Sequence, residues 1–241
     1  MDYLIIFILV SFLILTHELG HFIAAKLSNI PVERFSIGFG PKLCSFTRGK
    51  TEYRLSVFPI GGYLLPEIKN PDDFYQIPSS KRIAFALGGP SANLILSIVS
   101  LGVLNTATTG FSLYGILLCP FVQLMKITSQ FLYALPGLIA HPKQLSGIVG
   151  VVAIGGQFVA GDFSKILQFA IILSINLALL NLLPIPPLDG GKILFCLLER
   201  THPSLVKLRI PLAITGGLLL LGLICYITII DVCRYVLRIC A

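Results

Sequence analysis

The sequence predicts an all-α polytopic membrane protein, with about four transmembrane helices and a small membrane-associated β-hairpin in a cytosolic loop. Hydrophobic residues make up 55% of the 241 positions and charged residues only 12%, and the mean hydropathy is +0.89. A soluble domain of this size has too small a core to remove so many apolar side chains from water. The apolar residues are also gathered into long runs rather than spread along the chain.

Four apolar runs are long enough to cross a bilayer. A helix needs about 20 residues to span a hydrocarbon core of about 30 Å. Runs of that length with few charges occupy residues 3–26, 83–104, 165–183 and 210–230. The first run lacks the basic start and the small-residue cleavage site of a signal peptide, so we expect it to be retained as a span.

A fifth apolar run, residues 111–140, has a different pattern. Polar side chains interrupt it at spacings that place them on one face of a helix, namely Gln123, Lys126, Ser129 and Gln130. Such an amphipathic pattern is typical of a helix that lies at the membrane interface. We therefore favour an interfacial helix here, with a fifth span as the alternative.

The basic residues predict the orientation of the spans. Residues 26–82 carry nine of them and residues 184–209 carry four more, against five on the opposite side. Because cytoplasmic loops are enriched in lysine and arginine, both segments are expected in the cytosol and both termini outside it. A fifth span would invert the later segments and lose this agreement. The net charge of +7 therefore reflects membrane topology, and we expect no nucleic-acid partner.

The cytosolic segment 34–65 predicts the β-hairpin. Apolar and polar residues alternate from Tyr53 to Val57, which is typical of a strand. We expect Gly61 and Gly62 to form the turn, with a return strand after them. The free edge of such a hairpin can accept an extended peptide as one more strand. The alternative is an ordinary solvated hairpin that packs on the helices.

The most informative motif lies toward the end of the first predicted span. His17 and His21 are four positions apart, so a helix presents both imidazoles on one face, where they can bind one Zn²⁺. Glu18 beside them has the chemistry of a general base. Ionisable side chains at membrane depth are costly and by default mark a functional site. The alternative, two histidines satisfied by carbonyl groups or water, leaves Glu18 unexplained.

A catalytic zinc needs a third protein ligand, and Asp189 is the strongest candidate at membrane depth. Pro184, Pro186 and Pro187 cannot continue the preceding helix, so the backbone is expected to unwind just before Asp189. Non-helical backbone at that depth is tolerated only where it lines a cavity. Asp-Gly is also a common turn pair, so spacing alone leaves Asp189 open as ligand or turn former. Rival ligands occur in polar loops, namely Asp162, His141 and His202.

Five stretches of the chain together resemble a known family. They are His-Glu-Leu-Gly-His at 17–21, Phe-Ser-Ile-Gly-Phe-Gly at 35–40, Pro-Ile-Gly-Gly-Tyr at 59–63, Gly-Gly-Pro-Ser-Ala-Asn at 88–93 and Asn-Leu-Leu-Pro-Ile-Pro-Pro-Leu-Asp-Gly-Gly at 181–191. In this order the chain resembles the site-2 protease family of intramembrane zinc metalloproteases, and within it the bacterial proteases that cleave anti-sigma factors.

The resemblance implies a function and a set of site residues. It implies an endopeptidase of the bacterial inner membrane, with its active site toward the cytosol, that cleaves transmembrane segments of single-span proteins such as anti-sigma factors or remnant signal peptides. It implies that Zn²⁺ is bound by His17, His21 and Asp189 and that the catalytic base is Glu18. It further implies that the hairpin is a membrane-associated β-element and that substrate is received by Asn181, Pro184 and Pro186.

The chain departs from that family in one respect. Members of this type usually carry one or more PDZ domains after the second span, but only about forty residues separate Leu104 from Ser146 here, too few for that fold. We therefore expect a single metalloprotease domain over residues 1–241 without a PDZ domain. How substrate size is filtered is left open by the sequence, as is the oligomeric state.

The alternative function is a membrane carrier for zinc or another ion, which would use the same polar cluster as a transit site. The chain has no detectable internal repeat and only one concentrated ligand cluster. Glu18 also stands where a hydrolase needs its base, so we favour the protease.

Overall fold

A computed structural model describes residues 1–67, 76–140, 145–201, 208–237 and 239. Within these residues the chain is mostly helical and has two strands, which confirms the expected class. The elements are α1 (Asp2–Leu27), β1 (Val32–Arg48), β2 (Thr51–Pro66), α2 (Ser79–Thr109), α3 (Leu113–Leu117), α4 (Cys119–Ala140), α5 (Ile148–Val159), α6 (Phe163–Asn181), α7 (Asp189–Thr201), α8 (Arg209–Asp231) and a π-helical turn (Val232–Val236).

The long helices match the apolar runs. The four predicted spans coincide with α1, α2, α6 and α8, and the ends of each helix differ from those of the run by at most five residues. A fifth helical stretch, Leu113–Leu138, contains α3 and most of α4 and is also long and apolar enough to cross a membrane. Length and composition therefore allow five spans among the described residues, and a total of four is not confirmed.

The segment between α1 and α2 forms a β-hairpin, but its turn is not where we expected it. β1 and β2 pair as antiparallel strands around a two-residue turn at Gly49 and Lys50. The chain does reverse direction between Leu55 and Gly62, since residues 34–37 pair with residues 52–55 in ascending order and with residues 62–65 in descending order. Gly61 and Gly62 nevertheless lie inside β2 and do not form the tight hairpin turn that we expected. They allow β2 to bend where the register shifts, so that Ser36 of β1 has Arg54 on one side and Tyr63 on the other.

The bend in β2 lies close to the middle of α1. Gly61 has a φ of +82°, and a Cβ on it would lie 2.7 Å from Cγ2 of Ile14. A Cβ on Gly62 would lie 2.5 Å from the carbonyl oxygen of Ser36. Side chains larger than hydrogen do not fit at either position, so the two glycines allow the strand to run against the helix.

The sheet also packs on the C-terminal half of α1. The ring of Phe22 lies 5.1 Å from that of Phe35 and 5.8 Å from that of Tyr53, measured between centroids. Lys26 Nζ donates a hydrogen bond of 2.9 Å to Thr51 Oγ1. These contacts join both strands of the hairpin to the helix that carries the histidine motif.

The chain divides into two compact units. Unit 1 comprises Met1–Leu9, Leu96–Asn176 and Ile214–Ala241, and unit 2 comprises Val10–Ile95 and Leu177–Ala213. The helices α3, α4 and α5 belong wholly to unit 1, and the sheet and α7 belong wholly to unit 2. The four helices α1, α2, α6 and α8 are each divided between the units. All the site residues inferred from the sequence lie in unit 2.

Unit 1 contains a fully buried carboxylate. Asp231 near the end of α8 accepts hydrogen bonds of 2.8 Å from the backbone N–H groups of Gly147 and Gly150 at the start of α5. A Cβ on Gly150 would lie 2.7 Å from Asp231 Oδ1. The carboxylate therefore caps α5, where the helix dipole favours negative charge, and glycine leaves room for it.

The polar residue Gln123 of α4 also has a partner inside unit 1. Its side-chain amide exchanges two hydrogen bonds of 3.1 Å with that of Asn105 on α2. The amide of Asn105 also donates to the carbonyl oxygen of Gly115, at 2.9 Å. At least one member of the predicted polar face of α4 thus binds another helix rather than the membrane surface.

Candidate metal centre

Three buried side chains of unit 2 converge on one point. The Nε2 atoms of His17 and His21 each lie 3.1 Å from Oδ2 of Asp189, and they lie 3.2 Å from each other. All three residues are at most 5% exposed. The structure therefore brings the helical histidine pair together with the distant aspartate, 168 residues beyond His21. Among the described residues this is the one group of histidine, cysteine and acidic side chains whose geometry could hold a metal ion.

The triangle of donor atoms has the size that zinc requires. Zn²⁺ binds nitrogen and oxygen at about 2.0–2.2 Å, so two ligands of a tetrahedral site are roughly 3.3 Å apart. The observed separations of 3.1–3.2 Å are close to that value. Two imidazoles and one carboxylate are a donor set typical of catalytic zinc, which keeps one position for water or substrate.

Of the rival ligands, Asp162 lies among the described residues and is not part of this group. Asp162 lies in unit 1, between α5 and α6, where its carboxylate accepts a hydrogen bond of 2.8 Å from the backbone N–H of Ser164. His141 and His202 lie outside the described residues.

The tautomer of His21 is fixed by the backbone of α2. Its Nδ1 lies 2.8 Å from the carbonyl oxygen of Phe85, which can only accept, and 3.3 Å from the backbone nitrogen of Gly89; the shorter contact requires that Nδ1 carry the proton and donate it. The lone pair of Nε2 is then directed at the converging point. A carbonyl acceptor behind a metal-binding histidine is a common way to orient the ring and raise its basicity.

The other histidine, His17, is contacted by Asn93 of α2. The side chain is fully buried, and its amide nitrogen lies 3.4 Å from Nδ1 of His17. The contact with His17 assigns it to the surroundings of the metal centre, because an amide can hold the imidazole ring at its Nδ1 edge.

Glycines allow α2 to approach the two histidines. A Cβ on Gly89 would lie 2.5 Å from Nε2 of both His17 and His21. One turn away, the backbones of Gly20 and Gly88 are in direct contact, and a Cβ on Gly88 would lie 2.5 Å from the carbonyl oxygen of Gly20. No side chain marks Gly89 as a site residue, and the only signal in the sequence is the Gly-Gly-Pro run at 88–90.

The predicted break before Asp189 is confirmed. The helix α6 ends at Asn181, residues 182–188 are not helical, and α7 begins at Asp189. A Cβ on Gly191 would lie 2.7 Å from the backbone of Ile185, so the start of α7 folds back tightly on the broken segment. Asp189 thus occupies the first turn of a helix, where a carboxylate is favoured.

The carboxyl group of Asp189 is held in its ionised form. Lys192 Nζ donates a hydrogen bond of 2.8 Å to Oδ1, the oxygen that does not face the histidines. An ionised carboxylate is the form that binds metal.

A cavity of about 630 Å³ opens beside the three converging side chains. Its wall includes Glu18 and two of the three residues that the resemblance assigned to substrate, Asn181 and Pro186. Pro184 does not line it. The amide of Asn181 donates a hydrogen bond of 2.9 Å to the carbonyl oxygen of Leu177 in its own helix. The roles of Glu18, Asn181, Pro184 and Pro186 remain predictions.

A buried ion pair closes another part of the cavity wall. Arg82 of α2 binds both carboxylate oxygens of Glu199 on α7, at 2.5 and 3.2 Å, and its Nε donates to the carbonyl oxygen of Ile77. Arg82 is 4% exposed. Because the geometry is bidentate and largely screened from water, it fixes the far end of the helix that begins with Asp189.

Comparisons with known proteins find a family model and relatives that match most of the chain. A family model described as Peptidase family M50 matches residues 5–224. A Campylobacter jejuni protein named as a zinc metalloprotease is 28% identical, and the alignment covers 98% of this chain and 94% of the relative. A zinc metalloprotease of Clostridium perfringens is 27% identical, with 95% of this chain and 98% of the relative covered.

These relatives are longer than this chain. The alignment with the Campylobacter protein has 346 positions, 105 more than the 241 residues here. At least that many residues of the relative therefore have no counterpart in this chain. The difference is about the size of a small domain and agrees with the expected absence of a PDZ domain.

Proposed function

The chain belongs to peptidase family M50 and is an intramembrane zinc metalloprotease, and from this premise we propose that it cleaves the transmembrane segments of single-span membrane proteins. The observation that supports the proposal best is the buried triangle of His17, His21 and Asp189, which borders a cavity whose wall includes Glu18. The several long apolar helices make it a multi-pass membrane protein. Candidate substrates are anti-sigma factors and remnant signal peptides.

In this proposal the side chains have distinct roles. His17, His21 and Asp189 would hold the zinc, and a zinc ion bound there would supply a Lewis acid for the scissile carbonyl and a lower pKa for the attacking water. Glu18 accepts the proton of that water and later passes it to the leaving amine. Asn93 and the carbonyl oxygen of Phe85 keep the two imidazoles in place.

The substrate has to be extended before it can be cut. A transmembrane helix hides its carbonyl groups in internal hydrogen bonds, so its scissile bond must first unwind. Leu64 and Pro66 of β2 line the cavity, which places the last part of this strand near the metal centre. We propose that the substrate adds to the sheet there as an extended strand, and that Asn181 and Pro186 contact it.

The finer membrane topology is also part of the proposal. We place four spans, α1, α2, α6 and α8, with both termini outside the cytosol and the metal centre toward the cytosolic side of a bacterial inner membrane. The polar side chains of α4, namely Gln123, Lys126, Ser129 and Gln130, favour an interfacial position for this helix.

Cysteine labelling tests this topology. Phe111 and Phe163 flank the segment from α3 to α5 and are 78% and 70% exposed. In a variant without the native cysteines, Phe111→Cys and Phe163→Cys should both react with a membrane-impermeant maleimide from the extracytoplasmic side. Reaction from opposite sides would show that the segment crosses the membrane and would refute the four-span topology.

The activity is tested with the purified protein in detergent. We expect about one zinc ion per chain and cleavage of single-span peptides within their apolar segment, located by mass spectrometry. A chelator should abolish cleavage, and added Zn²⁺ should restore it. Cleavage confined to the soluble flanks of the peptides, or cleavage that survives metal removal, would contradict the proposal.

A further inference from the structure

The two oxygens of the Asp189 carboxylate have different partners. Oδ2 lies 3.1 Å from Nε2 of His17 and 3.1 Å from Nε2 of His21. Oδ1 instead accepts a hydrogen bond of 2.8 Å from Nζ of Lys192. One oxygen is therefore directed at the metal centre, and the other is held away from it by an ammonium group.

The start of α7 accounts for this arrangement. Lys192 follows Asp189 by three residues in the first turn of the helix, a spacing that brings two side chains together on one face. The Lys192 side chain is 49% exposed, while that of Asp189 is 5% exposed. The lysine therefore reaches the carboxylate from the open side of the cavity, which it also lines.

A carboxylate whose second oxygen has no such partner can bind a metal through both oxygens. Carboxylates bind metals through one oxygen or through both, and zinc can expand from four to five ligands. Oδ1 is bonded to the same carbon as Oδ2, so a small rotation of the group is enough to bring it toward the metal. A charge-assisted hydrogen bond of 2.8 Å opposes that rotation.

We propose that Lys192 is a positioning residue that restricts Asp189 to one-oxygen coordination and so leaves a coordination position for the reaction. This inference rests on Asp189 being a metal ligand, as stated under the proposed function. Lys192 acts through Asp189 and does not itself bind the metal. Its removal should change the number of ligands at the metal rather than abolish metal binding.

The test uses the full-length protein in detergent with Co²⁺ in place of Zn²⁺. Four-coordinate Co²⁺ absorbs visible light more strongly than five-coordinate Co²⁺. The parent protein should give the strong four-coordinate bands, and Lys192→Met should bind Co²⁺ but give severalfold weaker bands. Lys192→Arg should restore the strong bands, because a guanidinium group can donate to Oδ1 in the same way.

Two further variants make the result decisive. Lys192→Ala removes the ammonium with a different side chain and should behave like Lys192→Met; since the lysine is half exposed, we expect both to fold. Lys26→Met is the matched control, because it removes a lysine with a hydrogen bond of 2.9 Å to Thr51, away from the metal centre, and should leave the spectrum unchanged.

Each outcome bears on a different claim. Strong four-coordinate bands in Lys192→Met or Lys192→Ala would overturn the role of Lys192 and leave the metal centre intact. Complete loss of Co²⁺ from either folded variant would also overturn it, because the lysine would then be needed for binding itself. Failure of the parent protein to bind Co²⁺ or Zn²⁺ would refute the proposed metal centre, and the Lys192 inference with it.

Discussion

Replacing Glu18 by glutamine is expected to lower the rate of peptide cleavage by roughly 10²–10⁴-fold while leaving the zinc content unchanged. Glutamine has nearly the same shape as glutamate but cannot accept the proton of the attacking water. Glu18 is not one of the three side chains whose donor atoms converge, so the metal should stay bound without its charge. Zinc content by elemental analysis and kcat/KM on a single-span peptide give the two readouts.

The matched control for this variant is Glu33→Gln. Glu33 is half exposed and lies 3.8 Å from Arg34 in β1, so the same chemical change there should alter neither readout. If Glu18→Gln keeps the parental rate, a different group is the base. If it loses its zinc, Glu18 belongs to the ligand set, and the division of roles proposed here is wrong.

Replacing Gly89 by alanine is expected to lower the metal affinity by about 100-fold or more, because loss of an outer partner alone already costs 10–100-fold. The added methyl carbon would lie 2.5 Å from Nε2 of both histidines, in the space in front of their lone pairs. Either the rings rotate or α2 moves away, and both changes destroy the triangle of donor atoms. Titration with Zn²⁺ against a competing chelator measures the loss.

Gly217→Ala is the control for that experiment. Gly217 also lies in a helix of a candidate span, but nothing is within 4 Å of a Cβ there. Alanine is favoured over glycine inside a helix, so this variant should bind zinc normally and be no less stable. Parental zinc affinity in Gly89→Ala would mean that α2 lies farther from the histidines than the structure has it.

The ligand set could be predicted because local rules determine each part of it. Four-residue spacing in an apolar run puts His17 and His21 on one face of a helix, whatever packs against it. The prolines at 184–187 end a helix by covalent geometry and so place Asp189 at a break. That these two distant segments meet is not a local property, and it came only from the family resemblance.

Other parts of the site were not predicted, because no distinctive side chain indicates them in the sequence. Phe85 contributes a backbone carbonyl, and Gly89 contributes the absence of a side chain. The hairpin turn was misplaced because Gly61-Gly62 is a stronger turn signal than Gly49-Lys50 when packing against α1 is not known. Lys192 was counted only as a positive charge, although its spacing from Asp189 would have indicated the contact once α7 was known to start there.

The contact between Gly20 and Gly88 limits the routes by which a protein chain can reach the zinc. Backbone touches backbone at this crossing of α1 and α2, and the neighbouring side chains are the methyl groups of Ala24 and Ala92. A substrate segment is several ångströms wide and cannot pass through such a seam. The crossing is therefore closed to a substrate, whereas the wall of the cavity beside the metal centre is formed in part by Leu64 of β2 and by the Pro186–Leu188 segment.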